Sequence, residues 1–105
     1  MVLARFDLFQ TKGEALRLAP YLVLLSSDTL DPLNVAVIAP VRVATEHGPL
    51  RRRLHVPVTR GDEALVVVVE ELASVPKSIL GKPVASLSDY HAELVSALDF
   101  LFQGY

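Results

Sequence analysis

Four valines in a row, Val66–Val69, follow Ala64 and Leu65, and this run constrains the fold more than any other feature. β-Branched side chains lose rotamer freedom in a helix and pack well on a pleated surface, so the stretch reads as a central strand buried on both faces. Such a strand needs a neighbour on either side. Arg60-Gly61-Asp62-Glu63 is the best hairpin turn in the chain and joins it to one. There Leu54, Val56 and Val58 alternate with His55, Pro57 and Thr59, the period of two of a half-buried strand, which predicts that His55 faces out. Pro57 cannot donate to a ladder and argues for an edge.

The rest of the chain reads as further short strands. Phe6, Leu8 and Phe9 form one, with Lys12-Gly13-Glu14 as its hairpin loop, and Leu16 to Leu25 carries a second, in which Pro20 predicts an edge or a bulge. Ser26-Ser27-Asp28 and Asp31-Pro32-Leu33-Asn34 are turn formers. Val35 to Ala39 is a third strand, ended or kinked by Pro40, and Val41 to Ala44 resumes an extended path as a separate piece. Glu46 to Arg53 reads as loop, Ala73 to Pro76 as extended or turn, and Gly81-Lys82-Pro83 as a turn. Ser88 is the expected N-cap of a helix running toward Gly104. Many short antiparallel strands and one C-terminal helix, in a single domain over residues 1–105, is the predicted organisation.

At 100° per residue, Tyr90, Leu94, Ala97, Leu98, Leu101 and Tyr105 form one stripe of that helix, with His91, Val95 and Phe102 widening its edge. Phe100 falls on the other side among Asp89, Glu93, Ser96, Asp99 and Gln103, which makes its ring a candidate contact for another surface; ordinary exposed apolar surface is the plainer reading. Chain ends are usually polar, so the aromatic ending Phe100 to Tyr105 is unusual.

Composition narrows the chemistry. Cysteine is absent, which excludes disulfides and thiolate chemistry. Ten basic and twelve acidic side chains give a net charge of -2, with no overall attraction for nucleic acid. No apolar run approaches the roughly 20 residues of a membrane span and no secretion signal is visible, so a cytoplasmic protein is expected. A hydrophobic content of 51% and a mean hydropathy of +0.40 suggest apolar surface buried between subunits, most simply in a twofold dimer. His47, His55 and His91 lack metal-ligand spacing, and the glycines at 13, 48, 61, 81 and 104 stand singly, so neither a metal nor a phosphate loop, and no cofactor, is expected. His47 reads as a loop residue and His91 as helix surface. Arg51-Arg52-Arg53 is the one dense charge run; it reads as a solvated loop, or, with His55, as the only cluster able to supply the base and cations of a ribonuclease.

Leu72-Ala73-Ser74-Val75-Pro76-Lys77-Ser78-Ile79-Leu80-Gly81, Val84 to Ser88, and the ending Phe102-Gln103-Gly104-Tyr105 resemble the CcdB family of gyrase-poisoning toxins. Ser27-Asp28 with Asp31, Val37-Ile38-Ala39-Pro40, and Val58 with Gly61-Asp62-Glu63 fall in the order in which that family carries similar words, so the likeness spans nearly the whole chain. The resemblance implies a small SH3-like antiparallel barrel or sheet with a terminal helix, homodimeric and without catalysis. It implies a toxin that inserts the helix end into the A subunit of DNA gyrase and traps the cleaved DNA complex. A cognate antitoxin neutralises it, and the two together repress their operon, so that DNA is bound only through the antitoxin.

Family members end in Trp-Gly-Ile. Here Gly104 is kept, Gln103 stands in the tryptophan's place and Tyr105 in that of the isoleucine. The resemblance implies a gyrase-binding set of Asp99, Gln103, Gly104 and Tyr105, with Thr29 and Leu30 close by, and the outward reading of the Phe100 ring adds that residue to the set. Losing an interface tryptophan commonly costs at least about 2 kcal/mol, which opens a second reading, a diverged member that binds antitoxin without poisoning gyrase. A third is an endoribonuclease toxin of the same architecture. Thr11 to Glu14 and Val43 to Arg51 are candidate antitoxin-contact regions.

Overall fold

The computed structural model describes residues 3–13, 16, 19–27, 34–51 and 53–104. Its strands are β1 (Asp7–Thr11), β2 (Tyr21–Leu24), β3 (Val35–Val43), β4 (His55–Arg60), β5 (Glu63–Val68), β6 (Ala73–Pro76) and β7 (Leu80–Ser86). A one-turn helix α1 (Ala44–His47) follows β3, and helix α2 (His91–Gln103) ends the fold. Together the strands make a seven-stranded sheet in the order β4-β5-β3-β2-β1-β7, with β6 beside β3. Every pairing is antiparallel. The architecture is mainly β with one long C-terminal helix.

The valine run is an interior strand as far as Val68, with Val69 opening the turn Val69–Glu71: β5 lies between β4 and β3, and Leu65 through Val69 are all buried. The hairpin to β4 turns on Gly61 at φ +59°, a left-handed conformation glycine adopts without strain. β4 is the outer strand, as Pro57 requires.

At three places prolines and glycines behave differently from the sequence expectation. Pro20 neither bulges nor marks an edge; it precedes β2, which is interior, and contributes only its carbonyl, which accepts from the Thr11 N–H at 3.1 Å. Pro40 does not divide β3, which runs unbroken through Val43. On one side β3 pairs with β6 over Val35–Ile38 and with β5 over Val41–Val43; Pro40 sits in the handover, where no ladder bond is lost. Gly81-Lys82-Pro83 is not a turn but part of β7, an outer strand that tolerates Pro83. Gly81 lies where β1 and β7 shift register, and a Cβ there would run into the Gln10 carbonyl oxygen.

Alternation along the strands gives two cores. Leu8, Val23, Ala39, Val41, Val58, Leu65 and Val67 face α2, which adds Leu94 and Ala97. Phe9, Leu22, Leu24, Ile38 and Leu80 face the other way, with Val75 and Ile79 against them. Phe6 takes φ +71°, rare for a bulky residue, and is held from both sides: its N–H donates to Leu24 at 2.7 Å and its carbonyl accepts from Leu87 at 2.8 Å.

Candidate functional site at the end of the C-terminal helix

The chain enters α2 through a short turn, Ser88–Tyr90, so the residue at the helix cap is Tyr90; Ser88, expected there, instead bonds Ser86. Tyr90 pins the helix start to the sheet edge, its hydroxyl accepting from the Thr59 N–H at 3.2 Å. Burial then falls away along the helix. Leu94 and Ala97 are wholly buried, Val95, Leu98 and Leu101 half-buried, and Phe102, Gln103 and Gly104 exposed. The helix stops at Gly104, left-handed at φ +80°, whose N–H donates to the Phe100 carbonyl at 2.9 Å.

The two phenylalanines of this end exchange the places expected of them. Phe100 is half-buried, and the surface that covers it belongs to the chain itself: the Arg53 guanidinium lies 4.5 Å from the ring centroid. Phe102 is 70% exposed, more than any other large apolar residue described. The patch open to a partner is therefore Phe102, Gln103 and Gly104, with exposed Asp99 on its flank. Thr29, Leu30 and Tyr105, named from the resemblance, lie outside the described residues.

A second cluster lies beside α2. His55 does not face solvent: it is 8% exposed, at the floor of a cleft of about 490 Å³ between β4 and α2 that Arg53, Pro57, Tyr90, Glu93 and Ser96 help to line. Its Nε2 is 2.8 Å from Glu70 Oε2, and its Nδ1 accepts from the Arg51 N–H at 2.9 Å. His47, in α1 and not in a loop, meets the ring edge-on, with Nε2 3.2 Å from the same Nδ1. Both His55 nitrogens are thus engaged inside the protein, and the one lone pair, on Nδ1, is turned to the Arg51 N–H and not to a substrate. The three groups run head to tail instead of converging, and among the described residues no three His, Asp or Glu side chains gather as for a metal ion. Sequence separation hid this cluster, and the alternation of β4 pointed the other way.

A further polar cluster lies at the β4–β5 hairpin, where Tyr21 meets Glu63 and Arg60. Burial raises the Tyr21 hydroxyl above its ordinary value, and its hydrogen bond to Glu63 at 2.9 Å adds to that, against the opposing charge of Arg60. It takes no part in the helix end.

A small antiparallel sheet closed by a C-terminal helix is also the fold of several solved toxins. The Mycobacterium tuberculosis toxin MazF-mt6 superposes with a TM-score of 0.70 at 17% identity, covering 91% of this chain and 95% of that one. An endoribonuclease from a mycobacterial species gives 0.75 at 12% identity over 96% and 91%. A further endoribonuclease, solved with its cognate antitoxin, gives 0.74 at 11% identity over 94% and 93%. Identities this low speak to the fold alone. The CcdB protein family model matches residues 5–104, and the chain belongs to that family. It is a toxin of the toxin-antitoxin kind.

Proposed function

We infer that this toxin acts by binding the A subunit of DNA gyrase through the end of α2 and trapping the cleaved DNA complex, without catalysis of its own. The observation that carries the reading is Phe102, 70% exposed beside Gln103 and Gly104, at the place where the family makes its gyrase contact. A large ring in water at a structured helix end has no folding role there, and aromatic side chains are favoured interface anchors. Gly104 lets a partner's backbone approach closely, since nothing lies within 4 Å of the position a Cβ would take. Phe102 supplies apolar area one residue before Gln103, offsetting the missing tryptophan.

The rest of the proposal follows the family. The active form is a homodimer in the cytoplasm. Its mean hydropathy of +0.40 supports this, as does a mostly apolar groove of about 190 Å³ on the sheet face turned away from α2, bordered by Leu22, Ile38, Pro40, Val75 and Ile79 together with the Arg42–Glu71 ion pair. An antitoxin neutralises the dimer, and with it the toxin represses the operon. No described helix is long and apolar enough to cross a membrane.

The endoribonuclease reading draws on the fold relatives and on the cleft holding Arg53 beside His55. It ranks below the gyrase reading because the imidazole is already bonded at both nitrogens. A supercoiling and cleavage assay with purified gyrase, run with intact protein and with protein lacking residues 103–105, tests the leading reading. Intact protein should accumulate cleaved DNA and the truncated form should not. Equal cleavage by the two refutes the helix-end site. No cleavage by either, with tight binding of antitoxin, selects the diverged non-poisoning member. Degradation of a mixed RNA pool by the intact protein selects the ribonuclease.

A further inference from the structure

Arg53, whose guanidinium covers Phe100, follows closely on a residue that is fastened to His55. Arg51 is gripped by both of its backbone groups: its N–H donates to His55 Nδ1 at 2.9 Å, and its carbonyl accepts from the His55 N–H at 3.0 Å. Two residues on, Arg53 stands at φ +69°, a left-handed conformation that a non-glycine residue keeps only when its surroundings hold it there. We propose that His55 is an acid-sensitive clasp, and that protonating its Nδ1 releases this loop and lifts Arg53 from the Phe100 ring.

The hydrogen bonds dictate where a proton goes. Nδ1 accepts from the Arg51 amide and so must present its lone pair, which puts the ring hydrogen on Nε2, donating to Glu70 Oε2 at 2.8 Å. His47 Nε2, 3.2 Å from the same lone pair, is compatible only as a second N–H donor. A further proton has one place to go, Nδ1, where it takes the lone pair that the Arg51 N–H needs; His47 can turn acceptor there by moving its own hydrogen to Nδ1, but a backbone N–H cannot. The ring itself is held: it is rooted in β4, and protonation strengthens its bond to Glu70, whose other oxygen is buried with no partner of its own. The loop is the partner that yields.

The groups facing His55 from each packed element pull in both directions. Glu70 from the turn Val69–Glu71 and Glu93 from α2 across the cleft favour the added charge; His47 from α1 and the guanidinium of Arg53 oppose it, while Tyr90 contributes a neutral hydroxyl. What these charges do not change is the geometry, since in any balance the protonated Nδ1 loses its bond to the Arg51 N–H. The inference concerns the free protein and stands whatever macromolecule the helix end binds.

Nitrogen NMR of the imidazoles, with amide hydrogen exchange followed as pH is lowered, tests the clasp. At neutral pH His55 should carry its hydrogen on Nε2 and the Arg51 amide should be protected. On acidification that protection should fall by about tenfold or more, and the Phe100 ring resonances should move in the same transition. His55→Asn places an oxygen near the Nδ1 position and cannot ionise, so Arg51 should stay protected in acid; His47→Gln should retain the transition. A hydrogen on Nδ1 at neutral pH, or a transition that persists in H55N, overturns the proposal. If H55N fails to fold, the unmodified protein still decides: Phe100 moving without Arg51, or neither moving, is equally fatal.

Discussion

The two ends of α2 share one helix and opposite circumstances. Its first half is sunk in the sheet, with Leu94 and Ala97 fully buried, whereas its last turn holds Phe102 in water. Around the axis the contrast is as sharp: taking Leu94 as the origin, Phe100 and Phe102 lie about 120° to one side and about 80° to the other at 100° per residue. Periodicity alone makes Phe102 the nearer to the core. The structure reverses the pair because α2 leans toward β4 and the turn Val69–Glu71, and the loop before β4 brings Arg53 to the Phe100 flank. A helix at the margin of a sheet is buried toward its neighbours and not about its own hydrophobic centre.

The largest effect is expected where the helix is deepest. Leu94→Ala removes a side chain with no exposed surface and should destabilise the fold by about 3 kcal/mol, within the range for a buried leucine that leaves a cavity. Urea denaturation reads this directly; a loss under about 1 kcal/mol would mean that the helix is docked more loosely than its burial indicates. At the other end, Gly104→Ala puts a Cβ on a residue at φ +80° with open space around it, so the cost is conformational alone, about 1 kcal/mol. A still smaller term holds the flank: Arg53 over Phe100, near the surface, should show a coupling of about 0.5 kcal/mol in a double-mutant cycle of Arg53→Ala with Phe100→Ala. Zero coupling would mean that the ring is covered by its own helix and not by the loop.

Much of this frame is legible in the residues. β-Branched runs, the Gly61 hairpin and the Pro57 edge each report a local constraint that the fold cannot override. Pro20, Pro40 and Gly81 misled because their meaning depends on where they fall against other strands: Pro20 stands ahead of its strand, the missing N–H of Pro40 is harmless between two ladders, and Gly81 inside a strand reports the backbone passing over it at Gln10. His55 misled for a related reason. Alternation assigns it outward, yet α1 folds back over that face and its His47 meets the imidazole, and nothing in a six-residue strand announces a helix that ended eight residues earlier. The helix end was legible as a sticky terminus, while which of its rings is open depended on Arg53.

Phe102→Ala is expected to have the smallest effect on folding and the most to say about the contrast. With 70% of the residue already in water, little transfer free energy is lost on truncation, and stability should stay within about 0.5 kcal/mol. The same change strips the helix end of its exposed ring, so growth arrest on induced expression should weaken strongly, consistent with the roughly 2 kcal/mol that a buried aromatic anchor contributes at an interface. Unchanged stability with lost toxicity would assign the ring to a partner. A variant as destabilised as L94A would instead place Phe102 within the fold of the active species, such as the subunit contact of a dimer. Unchanged stability with full toxicity would move the functional surface off the helix end, toward the cleft beside β4.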